Sequence, residues 1–367
     1  MERLPHDVTA PTTATKAAVV AILFLLVAAI GSVVVSPALG GPDAEPKDDG
    51  AVSVVVENVS GERTVTVTYS TSNGTSQFTV EDVDPALVNR SENWAYLPRS
   101  TLPDTLERVA GNHTAGVVTA GEWVLVGDLN GAFAREGTAS VWVVSPAGMD
   151  ADPGRKAWFL AEFAGQYELA SNDTDPVSII IAPDALPSAG LMYEEGGYVT
   201  QHAFWDGKAS SVWIHEYVHA KRNVSLAGDM RWFSEASATY FSMRMLEEQY
   251  EGVTEADVRE RLAALPEHED TPLSSRTAWD DTHADYDRGT KLLYVVDAAI
   301  RTGSDGEYTL LDVFRELNRR DGPVTVDEFV RIVEHYSGNE EEWLRRAITQ
   351  GGDLDPMVEE ASDAFED

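Results

Sequence analysis

No cysteine occurs among the 367 residues, which excludes disulfides, thiolate metal sites, a cysteine nucleophile and a lipid-modified cysteine anchor. Lysine is almost as scarce. Only six of the 27 basic residues are lysine, against 62 Asp plus Glu, and the formal charge is -35. The acids are spread along the whole chain, which argues against a nucleic-acid partner. An acidic, lysine-poor surface on a composition that is still 43% hydrophobic is what keeps a protein hydrated in strong salt, so a salt-adapted protein is expected. Nine Trp, twelve Tyr and eleven Phe fit poorly with intrinsic disorder.

Charge is also missing from residues 17–38, AAVVAILFLLVAAIGSVVVSPA. At about 1.5 Å per residue this segment is long enough for the ~30 Å hydrocarbon core of a bilayer. Arg3 and Lys16 precede it, whereas Asp43, Glu45, Asp48 and Asp49 follow. The positive-inside bias therefore predicts a cytoplasmic N-terminus at 1–16, an anchor at 17–38 and everything beyond on the outside of the cell membrane. A cleaved signal peptide is the rival reading, because Pro37-Ala38-Leu39-Gly40 contains small residues. Six of the ten asparagines (Asn58, Asn73, Asn89, Asn112, Asn172, Asn223) lie in N-x-S/T sequons, which fits an exported, glycosylated surface.

After a linker at 39–50, residues 52–56 and 63–69 alternate apolar with polar around Val59-Ser60-Gly61, the pattern of a β-hairpin. Strand-like runs at 122–126 and 140–144 flank an Asn130-Gly131 turn signal, so a mostly β unit is expected over 51–150. From Asp152 the period changes. Trp158, Phe159, Phe163, Tyr167 and Leu169 recur at helical spacing, and an apolar strand follows at 177–181. Helices are predicted over 213–221 and 233–248, with Ala227-Gly228-Asp229 breaking the chain between them. Caps are expected at Thr254, at Thr325 with Glu328 as a capping box and at Asn339, and Gly351-Gly352 reads as the final stop. The units are thus 151–300, a helical region at 301–352, and an acidic tail at 353–367 expected to be disordered. The fold class is α+β.

The chemistry lies in His215-Glu216-Tyr217-Val218-His219. Two histidines four apart on a helix project from one face and can bind a single ion, with Glu216 beside it. A third donor follows on the next helix in Trp232-Phe233-Ser234-Glu235-Ala236-Ser237-Ala238-Thr239-Tyr240. Catalytic zinc keeps three protein ligands and an open position, and two histidines with one glutamate are an established set. Glu235 sits among residues that read as buried, where an acid needs a partner. Trp205 and Trp213 read as core, and His202, His268 and His335 as surface.

HEYVH followed by WFSEASATY resembles the gluzincin zinc metallopeptidases, whose M1 and M61 aminopeptidase families carry HExxH and then W-x-x-E-G-x-x-x-Y. Tyr286-Asp287-Arg288-Gly289, opening an apolar helix over 290–301, resembles the Y-x-K/R-G segment of those families. The likeness covers about 177–338 and is nearest the M61 type. It implies a thermolysin-like catalytic domain with one zinc held by His215, His219 and Glu235. It further implies Glu216 as general base and Tyr286 as donor to the developing oxyanion, with a peptide or protein as substrate. His283, three residues before Tyr286, is a candidate second donor. Ala236 stands where the families have glycine. The amine-binding G-x-M-E-N segment has only a loose counterpart in Ala189-Gly190-Leu191-Met192-Tyr193-Glu194-Glu195-Gly196-Gly197. Glu194 is the candidate substrate-binding carboxylate there, with Glu195 competing, and aminopeptidase and endopeptidase both stay open. The other reading of the chain is a catalytically silent gluzincin fold, tethered to the membrane for binding or envelope maintenance.

Overall fold

The computed structural model describes residues 53–59, 64–71, 74–107, 116–169, 176–193, 196–203 and 209–365. The expected anchor at 17–38 and the linker lie outside these. Among the described residues no helix is long and apolar enough to cross a membrane.

The expected hairpin is present. Strands β1 (Ser53–Val59), β2 (Thr64–Thr71) and β3 (Gly74–Val80) form an antiparallel three-stranded sheet, with Val56 opposite Val67 and Val65 opposite Val80. A second antiparallel sheet has the order β4-β5-β7-β6, from β4 (Val88–Asn89), β5 (Trp94–Pro98), β6 (Val117–Ala120) and β7 (Trp123–Gly127).

The third sheet carries the site. Its order is β11-β12-β10-β9-β8, built from β8 (Leu129–Glu136), β9 (Ala139–Pro146), β10 (Val177–Ala182), β11 (Gly190–Tyr193) and β12 (Gly196–Thr200). Strands β9, β10 and β12 run parallel, whereas β8 and β11 are antiparallel edges. Both faces of this sheet are covered, so its inner strands read as continuous apolar runs instead of alternating ones. Val141, Val143, Ile179, Ile181 and Val199 pack into the core shared with the helices. Val144, Ile180, Ala182 and Tyr198 pack into the core shared with the other two sheets. The expected boundary at residue 150 runs through this sheet, because β8 and β9 precede it and β10 to β12 follow.

The Asn130-Gly131 turn is corrected by the structure. Both residues lie inside β8, paired with Ser145 and Val144 of β9. The chain reverses instead at Gly137, whose φ of +53° suits a residue without a side chain.

Helix α1 (Pro153–Tyr167), capped by Asp152, lies across β8 and β9. Beyond β12 the chain is almost all helical: α2 (Val212–Lys221), α3 (Phe233–Gln249), α4 (Glu255–Ala263), α5 (Ala284–Gly303), α6 (Leu310–Leu317), α7 (Val326–Ser337), α8 (Glu342–Gln350) and α9 (Asp355–Ala361). The mixed α+β architecture with a mostly helical C-terminal part is as expected.

Thr254 caps α4 in a reciprocal capping box with Asp257. Thr325 caps α7 by accepting from the Glu328 amide, whereas Glu341 rather than Asn339 occupies the cap of α8. The tail differs more. Residues 355–365 are helical rather than frayed, and two of them, Asp355 and Phe365, find cations distant in sequence. Lys291 pairs with Asp355 at 2.6 Å, and the guanidinium groups of Arg244 and Arg301 lie 4.5 and 5.1 Å from the Phe365 ring centre.

Candidate metal centre

Ser211 caps α2 with its side chain, and its backbone is tied to Ser242 of α3 through both N–H and C=O. These bonds fix two neighbouring helices whose apolar faces, including Trp213, Val218, Phe233 and Ala236, are fully buried. The remaining faces of α2 and α3 meet at three donors. His219 Nε2 lies 3.0 Å from His215 Nε2 and 3.0 Å from Glu235 Oε2, and His215 Nε2 lies 3.3 Å from the same oxygen.

Four ligands at about 2.0 Å around tetrahedral zinc stand ~3.3 Å apart. The three observed separations fit that figure, and the donor types fit zinc as well. His215, His219 and Glu235 are the group among the described residues that could hold a metal ion. Thr239, one turn after Glu235, brings its Oγ1 to 3.3 Å from His215 Nδ1 and so orients that imidazole from behind.

Glu216 is buried at 5% exposure. Burial, together with the charge of Glu235, pushes its carboxyl up to about 8. Burial works in the same direction on Glu235, yet hydrogen bonds with His215 and His219 hold that carboxyl well below the usual range. Burial also lowers the His215 imidazole. The two carboxyls are thus driven in opposite directions, Glu235 toward the ionised form and Glu216 toward the protonated one.

Tyr286 opens onto the same group. Its ring is nearly parallel to that of His215, with centres 5.9 Å apart and an angle of 8°. Burial, then the charge and hydrogen-bonding of Glu235, hold its phenol far above the ordinary value, so it remains a donor. The residue lies inside α5, which starts at Ala284, earlier than the sequence pattern implied. His283 is exposed at the start of this helix, with its ring centre 5.9 Å from that of Tyr286.

Glu194 lies outside the described residues, as does Trp205. The strand before Glu194 is informative. Gly190 on β11 packs directly over Glu216, and a Cβ there would come within 2.5 Å of Glu216 Oε1. Only a bare backbone fits between the sheet edge and this carboxylate.

Of the residues read as bland, Trp213 is fully buried, while His202 and His335 are exposed. His268 is a correction. It is half-buried and its Nε2 sits 3.1 Å from Asp287, a partner nineteen positions away that no local pattern reveals. Sequence reasoning also missed Asp285. It is buried at 7% exposure beside the site, and burial and the Glu235 charge push it up to about 6.

No protein-family model matches the sequence, and no curated protein matches it. Solved structures do. In fold the chain is similar to an aminopeptidase. This is an aminopeptidase N family protein from Idiomarina loihiensis, matched with a TM-score of 0.53 at 12% identity, over 81% of this chain and 60% of that one. The chain therefore spans less than two thirds of that protein's length, and at such identity the likeness concerns the fold alone. Lower-scoring matches include an M1 zinc metallopeptidase from Deinococcus radiodurans (TM-score 0.45, 18% identity, 84% and 85% of the two chains). Aminopeptidase A of Legionella pneumophila also matches (TM-score 0.48, 12% identity, 83% and 45%).

Proposed function

We propose that this protein is a zinc-dependent peptidase that hydrolyses peptide bonds with water. The observation that carries the reading is the convergence of three metal donors with the buried carboxyl of Glu216 and a Tyr286 phenol that keeps its proton. A zinc ion held by His215, His219 and Glu235 would supply a Lewis acid and an acidified water. In its ionised form, which the charge of a bound zinc ion would favour, Glu216 takes the water proton on a carboxylate oxygen and returns it to the leaving amine, so one group serves as base and then acid. Tyr286 donates its hydroxyl hydrogen to the carbonyl oxygen as negative charge gathers there. Strand β11 is a sheet edge, and an extended peptide laid along it would place its backbone beside Glu216 across the bare Gly190.

The finer parts of this proposal rest on the sequence. The uncharged run at 17–38 supports a single-pass anchor with the catalytic part outside the cell membrane. The six sequons support glycosylation, and the acidic, lysine-poor composition supports work in strong salt. Glu194 is proposed to bind the substrate's free amine, which would make the enzyme an aminopeptidase.

The experiment is zinc analysis together with hydrolysis of a mixed peptide library in high salt, comparing the protein with Glu216→Gln. One zinc with cleavage that falls at least about a thousandfold in Glu216→Gln supports the peptidase. The cut positions separate exopeptidase from endopeptidase. Zinc without cleavage supports the silent binding module instead, and no zinc overturns the site.

A further inference from the structure

Tyr286 stands in the first turn of a helix that is tied to a distant part of the chain. Two positions further on, Arg288 has no exposed surface. Its Nη1 donates to the Gly352 carbonyl at 2.5 Å and its Nη2 to the Ala347 carbonyl at 3.0 Å. These acceptors belong to the end of α8 and the glycine turn after it. Arg288 thus satisfies carbonyls that a helix terminus leaves open, and a buried guanidinium obtains partners it cannot do without.

The neighbouring contacts close the same frame. Gly352 N–H donates to the Glu269 carbonyl at 2.6 Å, and His268 just before reaches Asp287, which lies between Tyr286 and Arg288. One turn along α5, the buried Lys291 meets Asp355 of α9. On the opposite side, Gly289 is pressed against Ala236 and Trp232 of the helix that carries Glu235. The first turn of α5 is therefore clamped between the ligand helix and residues 347–355.

We infer that Arg288 is a positioning residue for Tyr286. By tying the start of α5 to the 347–352 carbonyls, it sets where the phenol hydroxyl stands relative to the metal donors. The inference rests on the hydrolytic reading above, since it concerns the residue assigned there as the oxyanion donor. A misplacement of about 1 Å is enough to cost up to ~100-fold in rate, so a small slackening of this frame would show in turnover.

The test uses Arg288→Lys in the full chain, alone and combined with Tyr286→Phe. Arg288→Lys is expected to keep zinc and KM while kcat falls about tenfold. In the Tyr286→Phe background the same change should alter kcat by less than about twofold. Equal losses in the two backgrounds would overturn the inference. A second reading needs no activity. Amide hydrogen exchange of a peptide covering 284–289 in the metal-free protein should quicken about tenfold, while a peptide covering 294–300 should not change. No change at 284–289, or a uniform change along α5, would also overturn it. Should Arg288→Lys fail to fold, Asp355→Asn, a half-exposed change that frees Lys291 of the same helix, takes its place with the same expected directions. If the unmodified protein cleaves nothing, the peptidase reading falls while the exchange measurement still decides the clamp.

Discussion

Gly289 and Ala236 face each other where α5 crosses α3, and a Cβ on Gly289 would stand 2.7 Å from that of Ala236. The methyl group at Ala236, in place of the glycine of the resembled families, is accommodated because the partner helix supplies the missing space. The helices bearing Tyr286 and Glu235 approach as closely as one side-chain carbon permits.

Gly289→Ala should therefore destabilise the protein by about 1–3 kcal/mol through overpacking. Adding Ala236→Gly should recover part of this, even though glycine inside a helix costs about 1 kcal/mol. Urea unfolding of the three variants checks the order. A double variant no more stable than Gly289→Ala would refute the account.

The metal-free protein should lose stability as the solution becomes alkaline. The folded Glu216 carboxyl titrates near 8 instead of its usual 4.5, so the folded state holds a proton that the unfolded chain has released. This contribution is fully present below about pH 4.5 and is lost as pH rises through 8. Once the carboxyl is ionised the loss is roughly 5 kcal/mol. Thermal melting with a chelator, from pH 5 to 9, should show Glu216→Gln declining less than the unmodified protein, and parallel curves would contradict the prediction.

Zinc should stabilise the fold by mass action, by about 2.7 kcal/mol at a hundredfold excess over its dissociation constant. His219→Ala removes the nitrogen that lies 3.0 Å from both other donors, and its melting temperature should not respond to zinc. An equal response in both proteins would place the metal elsewhere.

Gly190→Ala should strike catalysis without touching the metal. Its new methyl group meets the Glu216 carboxylate, so the strand or the carboxylate must shift. Bound zinc is expected to remain at one equivalent while kcat falls about tenfold or more. Zinc analysis beside steady-state kinetics distinguishes this from simple unfolding.

Phe365 lies on Tyr294 with ring centres 4.6 Å apart, under two guanidinium groups. Phe365→Ala should cost roughly 1–3 kcal/mol and expose the segment after Gly351 to limited proteolysis. Cleavage there at an unchanged rate would mean that the contact does not hold the segment.

What was legible in the sequence follows from the range of the interactions. His215, His219 and Glu235 could be read because helical periodicity alone puts the two imidazoles on one face, and the third donor lies on the very next helix. Glu216 followed from its place beside His215, and Tyr286 only from the resemblance of Tyr286-Asp287-Arg288-Gly289 to the Y-x-K/R-G segment. The order of the five-stranded sheet could not be read, since pairing of β8 with β9 and of β10 with both β9 and β12 depends on partners outside any local window. Asn130-Gly131 misled because a dipeptide that favours turns also tolerates an edge strand. The tail misled for an electrostatic reason. Its acids outnumber nearby bases, but Lys291 reaches Asp355, and Arg244 and Arg301 reach the Phe365 ring, from helices far earlier in the chain. Thr239 and Asp285 carry ordinary residue types, and only the folded geometry shows one behind His215 and the other in the field of Glu235.

The clamp on α5 also imposes an order in time. All three metal donors lie within residues 215–235, on two consecutive helices, whereas the carbonyls that hold Arg288 come from residues more than a hundred positions later. A chain emerging from its amino end can gather a metal ion long before the first turn of α5 is anchored. In the proposed enzyme, a half-made molecule would hold zinc yet lack a fixed oxyanion donor, and cutting would begin only once residues 347–355 had been made and docked.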